Sequence, residues 1–153
     1  MHERLRAAAH AASFLEADGT FILVPSGAEA VGEIVSKLKS HDVGRVDTMI
    51  SILSFCSVHH AEKAVPSLIN NLLREDGGQL LYYEHVKARK VDVCWWQDRW
   101  LPIWRVFFGG CLIGQPTDRW IASMGCWSGK EENRPEGEEE SLFPHSIGHY
   151  IRG

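Results

Sequence analysis

The sequence predicts an α/β domain built on a mostly parallel sheet, and three observations lead there. Residues 46–86 read as one strand, helix, strand unit with its turns intact. Further apolar runs of strand length stand at Thr20–Val24 and Ser146–Arg152, with helix-period stretches between them. The chain of 153 residues, 44% hydrophobic, is the size of one domain with one core.

The central unit carries the argument. Val46-Asp47-Thr48-Met49-Ile50-Ser51-Ile52-Leu53 is apolar and β-branched, the pattern of a parallel strand covered on both faces. Ala61, Ala64, Val65, Leu68, Ile69, Leu72 and Leu73 then recur at spacings of three and four, which puts them on one helical face opposite Glu62, Lys63, Asn70, Asn71 and Arg74. Pro66 cannot donate to the carbonyl of Glu62, so either the first turn is irregular or the helix starts near Val65. Gly77-Gly78 closes the helical stretch, and Gln79–Glu84 (QLLYYE) supplies a second strand. Crossovers of this kind are right-handed, build parallel sheets and place functional atoms beyond the strands' carboxyl ends, here Ser54–Ser57 and Glu84-His85.

In order, residues 2–12 form an alanine-rich surface helix expected to pack through Leu5, Ala8, Ala9 and Ala12. Asp18-Gly19 is a turn, Thr20–Val24 a short strand, and Ala30, Val31, Ile34, Val35 and Leu38 the buried face of a second helix. Beyond His85 the chain turns aromatic. Trp96, Trp100, Trp104 and Phe108 fall on one helical stripe, with a kink or a break expected at Pro102. Core packing is the preferred reading of that stripe, while a lid over a hydrophobic ligand or a membrane-surface contact stays open. Thr117 is placed to cap a helix over residues 118–124. Residues 130–141 read as an acidic, solvated loop, and Ser146–Arg152 as the last strand. No internal repeat is visible.

Charge and cysteine usage narrow the classes further. Glu131–Glu140 holds six of the twenty acids and one of the sixteen bases, which leaves the rest of the chain with 15 bases and 14 acids. No basic stripe remains for a phosphate backbone, so a nucleic-acid partner is not expected. Cys56, Cys94, Cys111 and Cys126 stand singly, which suits reduced, buried thiols of a cytoplasmic protein. A zinc site can be drawn from Cys56, His59, His60 and His85, but structural zinc sites normally show two paired ligand clusters. Cys56 reads as a small core residue, and His59 and His60 as capping or solvated residues. No run approaches the ~20 apolar residues of a membrane span.

Three stretches together carry a resemblance: Pro25-Ser26-Gly27-Ala28-Glu29, then Val46 to Val58, then Leu72 to Val86 with its Gly77-Gly78 turn. They resemble successive motifs of the class I S-adenosylmethionine-dependent methyltransferases, and the branch of small-molecule and thiol methyltransferases most of all. Pro102 to Cys111 and Pro144 to Ile151 fit the same branch. The resemblance implies a Rossmann-like sandwich with the family's strand order 3-2-1-4-5-7-6. It also implies S-adenosyl-L-methionine as cofactor and methyl transfer to a small lipophilic thiol, amine or hydroxyl acceptor. By position, Gly27, Ala28 and Glu29 would lie by the adenine, and Ser54, Phe55 and Cys56 under the sulfonium end. Glu84, Trp100 and Trp104 would face the acceptor, with His85 as the group that takes its proton.

The departures bear on the same expectation. The family's glycine-rich G-x-G-x-G turn has no counterpart, since no Gly-x-Gly occurs in the sequence. The resemblance thus implies a domain truncated at its amino end, with Thr20–Val24 orphaned or the sheet rearranged, and with two exposed edges. A competing expectation is a catalytically inactive remnant serving as an interaction module, with a protein partner at the exposed edge of Val46–Leu53. A third is an aromatic lipid-surface binder resting on Trp95 to Phe108.

Overall fold

The computed structural model describes residues 2–153. Five helices and four strands follow in the order α1 (His2–Ala11), α2 (Val31–Lys39), β1 (Thr48–Ile52), α3 (Ala61–Leu72), β2 (Gln79–His85), α4 (Val91–Phe107), α5 (Thr117–Ser123), β3 (Trp127–Asn133) and β4 (His145–Arg152). A single 3-10 turn, Phe55–Ser57, joins β1 to α3. The strands form one open sheet in the order β1-β2-β4-β3.

The central unit forms as its periodicities require. β1 and β2 pair in parallel from Thr48 opposite Gln79 to Ile52 opposite Tyr83, and α3 crosses between them. Helix α3 runs unbroken through Pro66, and its face of Ala61, Ala64, Val65, Leu68, Ile69 and Leu72 is buried. It packs on Leu80, Tyr82 and Tyr150 of the sheet and on Ile121 of α5, with Val31, Ile34, Val35 and Leu38 of α2 along its flank. Each fully buried Leu, Ile or Val there contributes about 1.5–3 kcal/mol.

The sheet as a whole is mixed rather than mostly parallel. β4 enters between β2 and β3 and pairs antiparallel with both. Only the β1–β2 pairing is parallel, because only that pair is joined by a helical crossover. Nor is β1 covered on both faces. Helices α2, α3 and α5 cover the side on which Ser51 is buried, while Ile50 and Ile52 on the other side are 67% and 63% exposed. Ile147 and Ile151 of β4 share that open face.

Four other expectations are corrected. Thr20–Val24 is not in a strand: no neighbouring strand lies beside it, so its apolar run has nothing to pair with. Helix α1 has no buried residue, and Leu5 is exposed rather than packed. Thr117 is the first residue of α5 and not its cap, which is Pro116. The acidic segment begins as strand: Lys130 to Asn133 belong to β3, where pairing with β4 overrides composition, and only the following stretch is loop. Among the described residues, no helix is long and apolar enough to cross a membrane.

Candidate functional site

The carboxyl ends of β1 and β2 converge, and Glu84 joins them. Its side chain is fully buried. Oε1 accepts hydrogen bonds from Ser51 Oγ (2.6 Å), Ser54 N (2.9 Å) and Phe55 N (3.1 Å), and Oε2 accepts one from Cys56 N at 3.4 Å. The chain turns out of β1 through Leu53 at a positive φ of 48°. The amides that this turn strips of strand partners are taken by the carboxylate. Glu84 is thus turned into the β1 turn, with three of its four hydrogen bonds on Oε1.

That turn delivers Cys56 to a cluster the sequence did not announce. Cys56 Sγ lies 3.1 Å from Cys111 Sγ, and His85 Nδ1 is 3.9 Å from the first and 3.6 Å from the second. Both thiols are buried. The backbones are tied as well, since Leu112 N donates to the carbonyl of Cys56 at 2.8 Å. Cys56 and Cys111 are 55 residues apart, so no spacing in the sequence points to their meeting.

The pair is electrostatically unequal. The thiol of Cys111 is pulled down to about 4, first by its hydrogen bond with Cys56 and then, against the opposing effect of burial, by His85 and Trp104. Cys56 is pushed up by the same shared hydrogen bond, by burial and by the charge of Cys111 and Glu84. The two thiols titrate as one coupled pair, in which the negative charge is favoured on Cys111 over Cys56.

Aromatic rings close the site. Trp104 stacks on Phe108 at 3.6 Å and on Phe143 at 4.0 Å between ring centroids, and both Trp104 and Phe143 present edges to His85. The indole N–H of Trp104 is buried and close enough to Cys111 to favour its charged form, but no acceptor meets it at full hydrogen-bond geometry. Along the sheet, His145 stacks on Tyr83 and lies tilted against His85, both at 4.6 Å between ring centroids. Glu138 holds His145, accepting from its backbone N at 2.6 Å and lying 3.0 Å from its Nδ1. Burial raises the Glu138 carboxyl, but the hydrogen bonds and charge of His145 outweigh it and leave the group below its ordinary range.

Above this core lies an apolar groove of about 320 Å³, lined by Trp100, Ile103, Trp104, Phe107, Phe108, Leu142 and Phe143. Pro102 sits inside α4 without breaking it. The expected stripe is split: Trp104 packs inward, while Trp96, Trp100 and Phe108 remain largely exposed. Gln97 anchors the same helix, accepting from Ala88 N and donating to the carbonyls of Val86 and Leu142. A buried glutamine amid tryptophans gave no signal in the sequence.

The other expected residues fall elsewhere. Gly27, Ala28 and Glu29 precede α2, where Ala28 packs on the main core and the Glu29 carboxylate folds back over Gly27. Glu29 lines a groove of about 500 Å³ with His59, His60 and Lys63. Phe55 is 4% exposed and belongs to the main core rather than to an open site. Ser54 remains accessible, its hydroxyl donating to the carbonyl of Ile52. His60 is exposed beside Glu62 and stands outside the thiol cluster. A further cavity of about 340 Å³ between the β2–α4 connection and the β3–β4 loop sets Arg89, Lys90 and Arg134 against Glu132, Glu138 and Glu139, a balance that favours neither sign of ligand.

No protein-family model matches the chain, and no curated protein matches it.

Proposed function

We propose that this chain carries the acceptor side of a site for methyl transfer from S-adenosyl-L-methionine to a small lipophilic thiol, amine or hydroxyl compound. One observation carries the reading. The sheet order β1-β2-β4-β3 is the order that 4-5-7-6 of the family's sheet would give, with β1 and β2 on the stretches that the resemblance makes strands 4 and 5. The apolar groove beside His85 suits a lipophilic acceptor, and Trp100 and Trp104 form part of its wall.

In this reading the acceptor's heteroatom attacks the sulfonium methyl carbon, the carbon–sulfur bond of the cofactor breaks, and S-adenosylhomocysteine leaves. The acceptor's proton passes to His85, whose Nδ1 faces the thiols and whose Nε2 is left for this task. The chain otherwise contributes position and exclusion of water, since the methyl group is already activated. Ser54 to Cys56 would bound the sulfonium end, and Glu29 with Gly27 and Ala28 the adenine end.

The test is calorimetric titration of the folded chain with S-adenosylhomocysteine. A micromolar dissociation constant, worth about −8 kcal/mol, is expected. A protein that is folded by circular dichroism and gives no heat overturns the enzymatic reading. A second reading, an interaction module without catalysis, draws on the uncovered face of Ile50, Ile52, Ile147 and Ile151 and on the unpaired edge of β1. It expects no cofactor binding, and self-association that Ile50→Lys abolishes in sedimentation.

A further inference from the structure

We propose that Cys56, Cys111 and His85 form a site for a thiophilic divalent cation, zinc in the first instance, with three protein ligands and one open position. The three ligand atoms lie within 4.8 Å of one another. Ligand bonds of about 2.3 Å to sulfur and about 2.05 Å to nitrogen at tetrahedral angles put a sulfur and a nitrogen about 3.6 Å apart, and two sulfurs about 3.8 Å apart. The sulfur-to-nitrogen distances here are 3.6 and 3.9 Å, so His85 already stands where a shared ion requires it. The sulfurs, at 3.1 Å, must open by about 0.7 Å, which a χ1 adjustment at the two cysteines supplies.

The framework around the ligands is built to hold them. Cys56 has its amide fixed by Glu84, Cys111 has its amide fixed by the carbonyl of Phe108, and His85 ends a strand paired on both sides. The ring of His85 further packs, tilted, against that of His145 at 4.6 Å. A soft, nearly water-free pocket with two sulfur donors selects zinc over magnesium or calcium, which need oxygen ligands. The indole N–H of Trp104 borders the cluster and is suited to donate to a metal-bound sulfur.

A metal with three protein ligands keeps a fourth position for water or an exchangeable donor, the arrangement of catalytic rather than structural sites. This inference does not depend on the methyl-transfer reading, because its test uses neither cofactor nor acceptor, and an ion on Nδ1 would leave Nε2 of His85 protonated and so replace its role as proton acceptor. The full chain, freshly reduced and freed of metal, is titrated with zinc against a chromophoric chelator and, separately, with cobalt(II). One equivalent of zinc is expected to bind with a sub-micromolar dissociation constant. Each of Cys56→Ser, Cys111→Ser and His85→Ala should weaken it by at least about 100-fold. The double variant Cys94→Ser, Cys126→Ser should leave it unchanged. On the unmutated chain the cobalt form should show a sulfur-to-cobalt charge-transfer band and the intense visible bands of tetrahedral coordination, a readout that does not depend on any variant folding. Zinc binding that survives loss of Cys111 or His85, a cobalt spectrum without the charge-transfer band, or no zinc uptake by the folded, reduced chain would overturn the assignment.

Discussion

Glu84→Ala is the substitution with the largest consequence that the structure allows to be worked out. It removes the acceptor of one hydroxyl and three backbone amides while leaving all four donors in place. A buried donor left unpaired costs about 1–3 kcal/mol. Ser51 Oγ can rotate to another acceptor and Ser54 is near solvent, so the full cost falls on the amides of Phe55 and Cys56. The expected loss is about 3–5 kcal/mol, a large part of the about 5–15 kcal/mol that holds a domain of this kind together. In urea, with a slope of about 1.5–2 kcal/mol per molar, the midpoint should fall by about 2 M. Glu84→Gln retains Oε1 and most of its bonds but turns an amide group toward the N–H of Cys56, and should cost about 1–2 kcal/mol. A Glu84→Ala protein within about 0.5 kcal/mol of the parent would refute the idea that this carboxylate fixes the β1 turn and, through it, Cys56.

Further outcomes follow from the same geometry. Thiolate absorbance near 240 nm should show one group titrating at about 4 rather than in the ordinary cysteine range, and Cys111→Ala should remove that step. Leu80→Ala, on the helix-covered face, should cost about 2–5 kcal/mol in urea denaturation. Ile50→Asn, on the open face, should cost under about 0.5 kcal/mol and reduce aggregation. Gly148→Ala should destabilise by about 1–3 kcal/mol, because a Cβ there would overlap the ring of Tyr82. Glu138 is held below its ordinary range, so its contribution to stability is present above the normal carboxylate pKa and is lost as pH falls through the folded value. Glu138→Gln should therefore flatten the acid limb of a stability–pH profile by about 0.5–1 kcal/mol.

Local signals and long-range meetings were unequally legible in the sequence. The β1–α3–β2 unit was readable because an apolar, β-branched run gives way to a period near 3.6 and then to a second short run within forty residues, and each buried position named from the α3 period is buried. Thr20–Val24 misled because an apolar β-branched run reports what a segment can pair with, not whether a partner is present. β3 was hidden for the opposite reason: Lys130, Glu131 and Glu132 have the composition of a loop, yet β4 supplies their pairing and Tyr150 donates to Glu132 at 2.9 Å. His85 and Cys56 were singled out from their strand-end positions and do stand together. Their third partner, Cys111, follows the aromatic helix and reaches them only through the path of the chain from Phe107 to Leu112, where Gly109 and Gly110 take positive φ. The resemblance had Glu84 facing the acceptor at the end of its strand. The alternation along β2 settles the matter, placing Leu80, Tyr82 and Glu84 on the buried face.

Backbone amide resonances followed by NMR during titration with S-adenosylhomocysteine test the proposed site most directly. The account predicts that Ser54, Phe55, Cys56 and Glu29 shift together with one saturation curve, while Gly129 and the rest of β3 stay still. A well-dispersed spectrum in which the residues of the β1 turn do not move at millimolar ligand would contradict it.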